Sequence, residues 1–267
     1  MRSENMDNKT KYIIAIIIII VIIVVGAYFS GALTNKSQQE GSITVYAGAG
    51  FSEVGGDLVK AFNEKYPNIK VNMRYGGSGE LYSTMETQKN GDVFLPAAYK
   101  YMGQAMENGY VKNDSVVNIT KNVPVIVTQP GNPKNITSLS DLEKDDVKVA
   151  LGEPEGPAIG KTSQSILEKN NISVTPTVTT TTVNQLVTYV VSGQVDASIV
   201  WEALTLWEDN KGKMEVVEIP ANQNNISTIP VAVTTFTKNP DAANAFAEFL
   251  TSPDAKPIWE KWGYKME

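Results

Sequence analysis

Ser78 draws attention first, because of what surrounds it. It lies in Tyr75-Gly76-Gly77-Ser78-Gly79-Glu80-Leu81, after an alternating apolar run, Ile69-Lys70-Val71-Asn72-Met73, and before a helix-like run to about Lys89. A strand therefore runs into a glycine-rich loop with a serine at the helix start. Serine is a favoured N-cap, and the first helical turn carries backbone N–H groups without intrahelical partners. Together with the helix dipole, such a start is a ready anion site. An ordinary capped helix start has the same pattern. The anion reading gains weight from repetition: small or capped loops recur at 47–50 (AGAG), 76–79 (GGSG), 152–160 (GEPEGPAIG) and 180–182 (TTT).

Other chemistries find less support. The 267 residues include no cysteine and no histidine. Ser-His-Asp triads, cysteine nucleophiles, disulfides and zinc sites built on those residues are excluded. Glu53, Glu80, Glu153, Glu155 and Glu202 lie in or beside the loops. Paired carboxylates could perform acid/base hydrolysis, but acids also favour first helical turns for electrostatic reasons. Gly156-Pro157-Ala158-Ile159-Gly160-Lys161-Thr162 resembles a phosphate-binding P-loop. It has three residues between the glycines where four are required, and Pro157 removes an N–H from a loop that works through N–H groups. A net charge of -6 argues against nucleic acid as a partner.

The elements that would position these loops alternate. Strands are expected at 43–47 (ITVYA), 69–73, 92–97 (DVFLPA), 124–128 (PVIVT), 147–151 (VKVAL), 177–180, 197–200 and 229–234. Helices are expected at 51–65, from Leu81 to about Lys89, at 99–108, 138–145, from the 152–160 loop to about Lys169, at 183–192 behind a Thr182 cap, and twice near the C-terminus. The pairs Asn239-Pro240 and Ser252-Pro253 put a cap residue before proline at the first helical position. Alternation of this kind predicts an α/β fold with largely parallel sheets. Ligands of such sheets bind beyond the carboxyl ends of strands, which is where the small loops fall.

At the N-terminus, residues 12–29 form an uncharged apolar run, preceded by Arg2, Lys9 and Lys11. The run is long enough to span a bilayer, and the charge asymmetry puts the rest of the chain outside. This predicts a transmembrane anchor at 12–33, a polar linker at 34–42 and a single-pass cell-membrane location with the remainder extracytoplasmic; a cleaved signal peptide is the alternative. Asn35, Asn113, Asn118, Asn135, Asn171 and Asn225 each open an Asn-x-Ser/Thr sequon, compatible with glycosylation.

The pieces ITVYAGAGFSEV, YGGSGELYSTM, GDVFLPAAYKYM, VALGEPEGPAIGK, TVNQLVTYVVSGQVDASIVW and FAEFLTSPDAKPIWEKWGY, in this order and spacing, resemble the molybdate-binding proteins of ABC transporters. The resemblance covers nearly all of 43–264. It implies a two-lobed type II periplasmic-binding-protein fold, with lobe one at 43–121 plus 227–267 and lobe two at 122–226. It implies a monomer without cofactor or catalysis, which captures molybdate or tungstate and delivers it to an ABC permease. The anion is held through its oxygens by neutral donors, with no directly coordinated metal. The family's first-loop serine falls on Gly50, its second-loop serine on Ser78, its Pro-Ala alanine on Ala158, its helix-start valine on Val183 and its strand-end tyrosine on Trp201. Gly50 lacks a hydroxyl, and the Trp201 indole donates but cannot accept. The acids Glu53, Glu80 and Glu202 leave a second oxyanion open. A carboxylate facing the ligand would repel molybdate and suit a protonated anion such as phosphate. A carboxylate-based hydrolase is the alternative of a different class.

Overall fold

The computed structural model describes residues 40–264. It contains two five-stranded sheets flanked by helices. The first half of the chain gives β1 (Gly41–Gly48), α1 (Ser52–Lys65), β2 (Ile69–Gly76), α2 (Ser78–Gln88), β3 (Val93–Leu95), α3 (Tyr99–Glu107) and β4 (Val117–Asn122). The second sheet is built from β5 (Pro124–Thr128), β6 (Val149–Gly152), α4 (Ala158–Lys169), β7 (Val178–Thr180), α5 (Val183–Val191), β8 (Ala197–Trp201) and β9 (Glu215–Glu218). The chain then returns through β10 (Ser227–Val233) and ends in α6 (Pro240–Leu250) and α7 (Lys256–Lys261).

Strand order is β2-β1-β3-β10-β4 in one sheet and β7-β6-β8-β5-β9 in the other. In each sheet four strands share one direction, and the fifth, β10 or β5, runs antiparallel between two of them. The sheets are thus mixed rather than largely parallel, because the strands that join the halves enter in reverse. Only Val123 separates β4 from β5. The central strands are buried on both faces, as at Ile43, Val45, Tyr46 and Ala47, so they read as apolar runs and not as alternation.

The helices form where the apolar spacing suggests. α1 buries Val54, Leu58 and Phe62 on one face. Phe62 meets Phe246 and Phe249 of α6 edge-on, with centroids 5.0 and 5.5 Å apart. Burial of one such phenylalanine contributes about 1.5–3 kcal/mol. The helix expected at 138–145 is a 3-10 turn, Leu139–Glu143, opened by a reciprocal cap between Ser138 and Asp141. Strands β4 and β9, at sheet edges and largely polar outward, were not expected from sequence.

The single-pass membrane localisation is corrected. Among the described residues no helix is long and apolar enough to cross a membrane. The longest, α1, has 14 residues, against about 20 for a spanning helix. The apolar run at 12–29 lies outside the described residues, as does the expected anchor at 12–33. Of the expected linker, Gly41 and Ser42 already pair with Ile69 and Lys70 as the start of β1. The sequon asparagines 113, 118, 135, 171 and 225 are exposed; Asn35 lies outside the described residues.

Candidate functional site

The two sheets face each other with the carboxyl ends of their parallel strands, and five chain segments meet there. β1 ends at Gly48 and passes into a 3-10 turn, Ala49–Phe51, that leads into α1. Gly50 is buried in this turn. Its carbonyl accepts a hydrogen bond of 2.9 Å from the Tyr264 hydroxyl. Tyr264 packs with Phe51 and Trp259, and burial pushes its ionisation well above the usual tyrosine range. A Cβ on Gly50 would stand 3.4 Å from Val183 Cγ1 and 3.7 Å from Trp201 Cδ1. A larger residue would therefore press on both.

β2 ends at Gly76 and α2 begins at Ser78. The N-cap is Gly77, with φ −61° and ψ 136° and no side-chain cap. This corrects the reading of Ser78 as a cap. Its side chain is occupied elsewhere: Oγ accepts the Ala97 N–H at 3.1 Å. Ser78 is 1% exposed, and no acceptor among the described residues takes its O–H. β6 leads through a tight loop to Pro157, the N-cap of α4, so Ala158 is the first helical residue. β7 leads to Thr182, whose side chain caps α5 by accepting the Gln185 N–H at 3.4 Å, and Val183 follows. β8 ends at Trp201, which is 1% exposed and makes no side-chain hydrogen bond among the described residues.

Gly50, Ser78, Ala158, Val183 and Trp201 line one small, tightly closed cavity between the sheets, with about 10 Å³ of free space. Gly77, Ala97, Ile159 and Thr182 also line it. Three helices and one 3-10 turn begin at its wall, each bringing N–H groups without helical partners. No charged side chain lines it. Glu53, Glu80, Glu153 and Glu155 are exposed and Glu202 is half-buried; none reaches the cavity. Glu155 instead faces Lys100 of α3 at 3.6 Å. No pair of carboxylates stands where a substrate in this cavity would meet them. Roomier clefts, one along Thr179, Thr181 and Gln185 and another along Arg74, Lys89 and Lys238, hold none of the five residues.

Sequence reasoning missed Ala97. It follows the buried strand β3 in Leu95-Pro96-Ala97-Ala98, and a small residue at a carboxyl strand end was the available signal. The arrangement can hold a small anion by neutral dipoles. Donors aimed at one point from several helix starts stabilise negative charge, and burial strengthens each such contact relative to water.

Residues 43–265 match the family model described as bacterial extracellular solute-binding protein. The molybdate-binding protein ModA of Mycobacterium tuberculosis (strain H37Rv) is 27% identical over 225 residues, covering 84% of this chain and 84% of that protein. The sulfate-binding protein of Synechococcus elongatus is 25% identical over 224 residues, covering 74% of this chain and 63% of its own length. Among solved structures, the periplasmic molybdate-binding protein of Azotobacter vinelandii superposes with a TM-score of 0.74 over 84% of this chain and 99% of that one, at 18% identity. At that identity the likeness is one of fold.

Proposed function

The chain belongs to the bacterial extracellular solute-binding protein family, and from this premise we propose that it is the substrate-binding component of an ABC importer. It captures molybdate or tungstate outside the cell and delivers the anion to a membrane permease. The observation that carries this reading is the uncharged cavity at four helix and turn starts, lined by Gly50, Ser78, Ala158, Val183 and Trp201. Ser78 donates through its O–H, Trp201 through its indole N–H, and Gly50, Ala158 and Val183 through backbone N–H groups. The relative ModA of Mycobacterium tuberculosis, a molybdate-binding protein by name, supports the choice of anion.

The absence of carboxylates from the lining separates the oxyanions. A protonated anion such as hydrogen phosphate needs an acceptor for its proton, and an aspartate or glutamate would supply it. No carboxylate lines this cavity, which favours fully ionised dianions: molybdate, tungstate and sulfate. The likeness to a sulfate-binding relative keeps sulfate as the second reading.

Lobe one comprises 43–121 plus 227–267 and lobe two 122–226, and they close on the anion by bending where β4 passes into β5 and where the chain enters β10. Closure of two lobes by a few hinge residues is an established mode of ligand capture. Calorimetric titration with molybdate, tungstate, sulfate and phosphate tests the reading. Tight binding of the first two, weak binding of sulfate and none of phosphate is expected. Binding of phosphate alone would sink it.

A further inference from the structure

Asn122 does not line the cavity, yet two hydrogen bonds lead from it to Ser78. Its Nδ2 donates to the Ala97 carbonyl at 2.8 Å, and the Ala97 N–H donates to Ser78 Oγ at 3.1 Å. Asn122, Ala97 and Ser78 are 1%, 4% and 1% exposed. The orientation of the amide follows from chemistry: a carbonyl oxygen only accepts, so the atom facing it is the nitrogen. Asn122 Oδ1 is then left buried without a partner.

A buried acceptor without a partner is destabilising. What the asparagine gains in return is its donor, which satisfies the buried Ala97 carbonyl. Asn122 is also the last residue of β4, paired with Ser227 at the start of β10 and one residue from the crossing into β5. The point where the two sheets join therefore holds Ala97, the residue whose N–H faces Ser78.

We propose that Asn122 is a positioning residue for oxyanion binding. By holding the Ala97 carbonyl it aims the Ala97 N–H at Ser78 Oγ. That bond occupies a lone pair of the serine oxygen and directs the serine O–H into the cavity. The proposal rests on the reading of Ser78 as a donor to the bound anion.

A double-mutant cycle tests it, with sodium molybdate as the calorimetric probe, or sulfate if that is the anion the wild type titrates. Asn122→Leu weakens binding by about 5- to 20-fold in the wild-type background, a typical coupling for contacting residues. In the Ser78→Ala background the same change weakens binding less than about threefold. Asn122→Leu removes one unpartnered acceptor, Oδ1, and leaves another, the buried Ala97 carbonyl, so affinity and not melting temperature is the deciding readout. A merely structural asparagine would give wild-type affinity whatever the change in stability. Asn122→Ala, which makes no steric demand, carries the same comparison if the leucine variant does not fold. Wild-type affinity in both single Asn122 variants, or equal losses in the two backgrounds, overturns the proposal while leaving the oxyanion reading intact. A wild-type protein that titrates no oxyanion overturns both.

Discussion

Gly79 and Gly156 meet backbone to backbone across the boundary between the two sheets: the Gly79 N–H donates to the Gly156 carbonyl at 2.9 Å. Gly79 belongs to α2 and Gly156 to the loop before α4, so this bond joins the two halves beside the cavity. A Cβ on Gly79 would collide with the Glu155 carbonyl oxygen, and one on Gly77 would stand 2.6 Å from the Thr181 carbonyl oxygen. Neither glycine has a positive φ. They are glycines for close approach and not for turn conformation.

Gly79→Ala is therefore expected to spare the fold of each half and to oppose their closure. Affinity for molybdate should fall at least about tenfold, equivalent to about 1.4 kcal/mol. The ligand-free melting temperature should move by no more than about 4 °C, the shift of about 1 kcal/mol in a chain of this size. Paired titration and thermal melts check this. Unchanged affinity would mean that the bound state does not need the Gly79–Gly156 contact.

Ser78→Ala separates a donor from a support. Loss of Oγ leaves the buried Ala97 N–H without its acceptor, at a cost of about 1–3 kcal/mol of stability. If the O–H also meets a charged oxygen, affinity falls by a further 1.5–3 kcal/mol, roughly 10- to 150-fold. A less stable protein that binds as well as wild type would confine Ser78 to supporting Ala97.

The anion-site reading of Ser78 shows how far sequence reaches here. The strand-loop-helix order around it, the Thr182 cap and the meeting of loops at carboxyl strand ends were all legible, because local pattern and cap chemistry specify them. The cap at Ser78 was misread by one residue. Glycine at 77 can take the extended cap conformation itself, and nothing local reveals that Ala97, 19 residues on, claims the serine oxygen. The orientation of Glu53, Glu80 and Glu155 was likewise hidden. An acid in a first helical turn points outward or inward according to packing across the sheet boundary, which a single chain pattern does not encode. Strand β4, with Val117, Asn118 and Lys121 exposed or polar, offered too little apolar periodicity to be recognised.

Trp201→Phe keeps most of the bulk and removes the indole donor. The expected loss of affinity is about 1.5–3 kcal/mol, or 10- to 150-fold in dissociation constant. Wild-type tryptophan fluorescence should respond to molybdate, with most of the response gone in the variant. A variant that titrates like wild type and keeps the fluorescence change would remove Trp201 from the site.

Tyr101→Phe addresses stability and pH. The Tyr101 hydroxyl is buried without a partner, so its removal should stabilise the fold by about 1 kcal/mol near neutral pH. Burial, and then the Glu155 carboxylate, push this hydroxyl up to about 12; burial and Glu53 do the same for Tyr75, again to about 12. An unfolded tyrosine ionises near 10. The raised values cost the fold nothing below pH ~10, where the tyrosines are neutral in both states, and destabilise it as pH rises from ~10 towards 12. Urea unfolding at pH 8, 10 and 11 should show the decline, shallower in Tyr101→Phe. Equal declines would mean that the Tyr101 proton leaves as readily in the folded protein as in the unfolded chain.

The central claim, that a tetrahedral oxyanion sits among the helix starts, is tested most directly by anomalous diffraction at the molybdenum edge from crystals grown with molybdate. One strong peak is expected between the sheets, with the anion's oxygens within hydrogen-bond reach of Ser78 Oγ, Trp201 Nε1 and the backbone N–H groups of Gly50, Ala158 and Val183. A peak at another location, or a cavity without molybdenum in crystals of protein saturated with molybdate, would contradict the account.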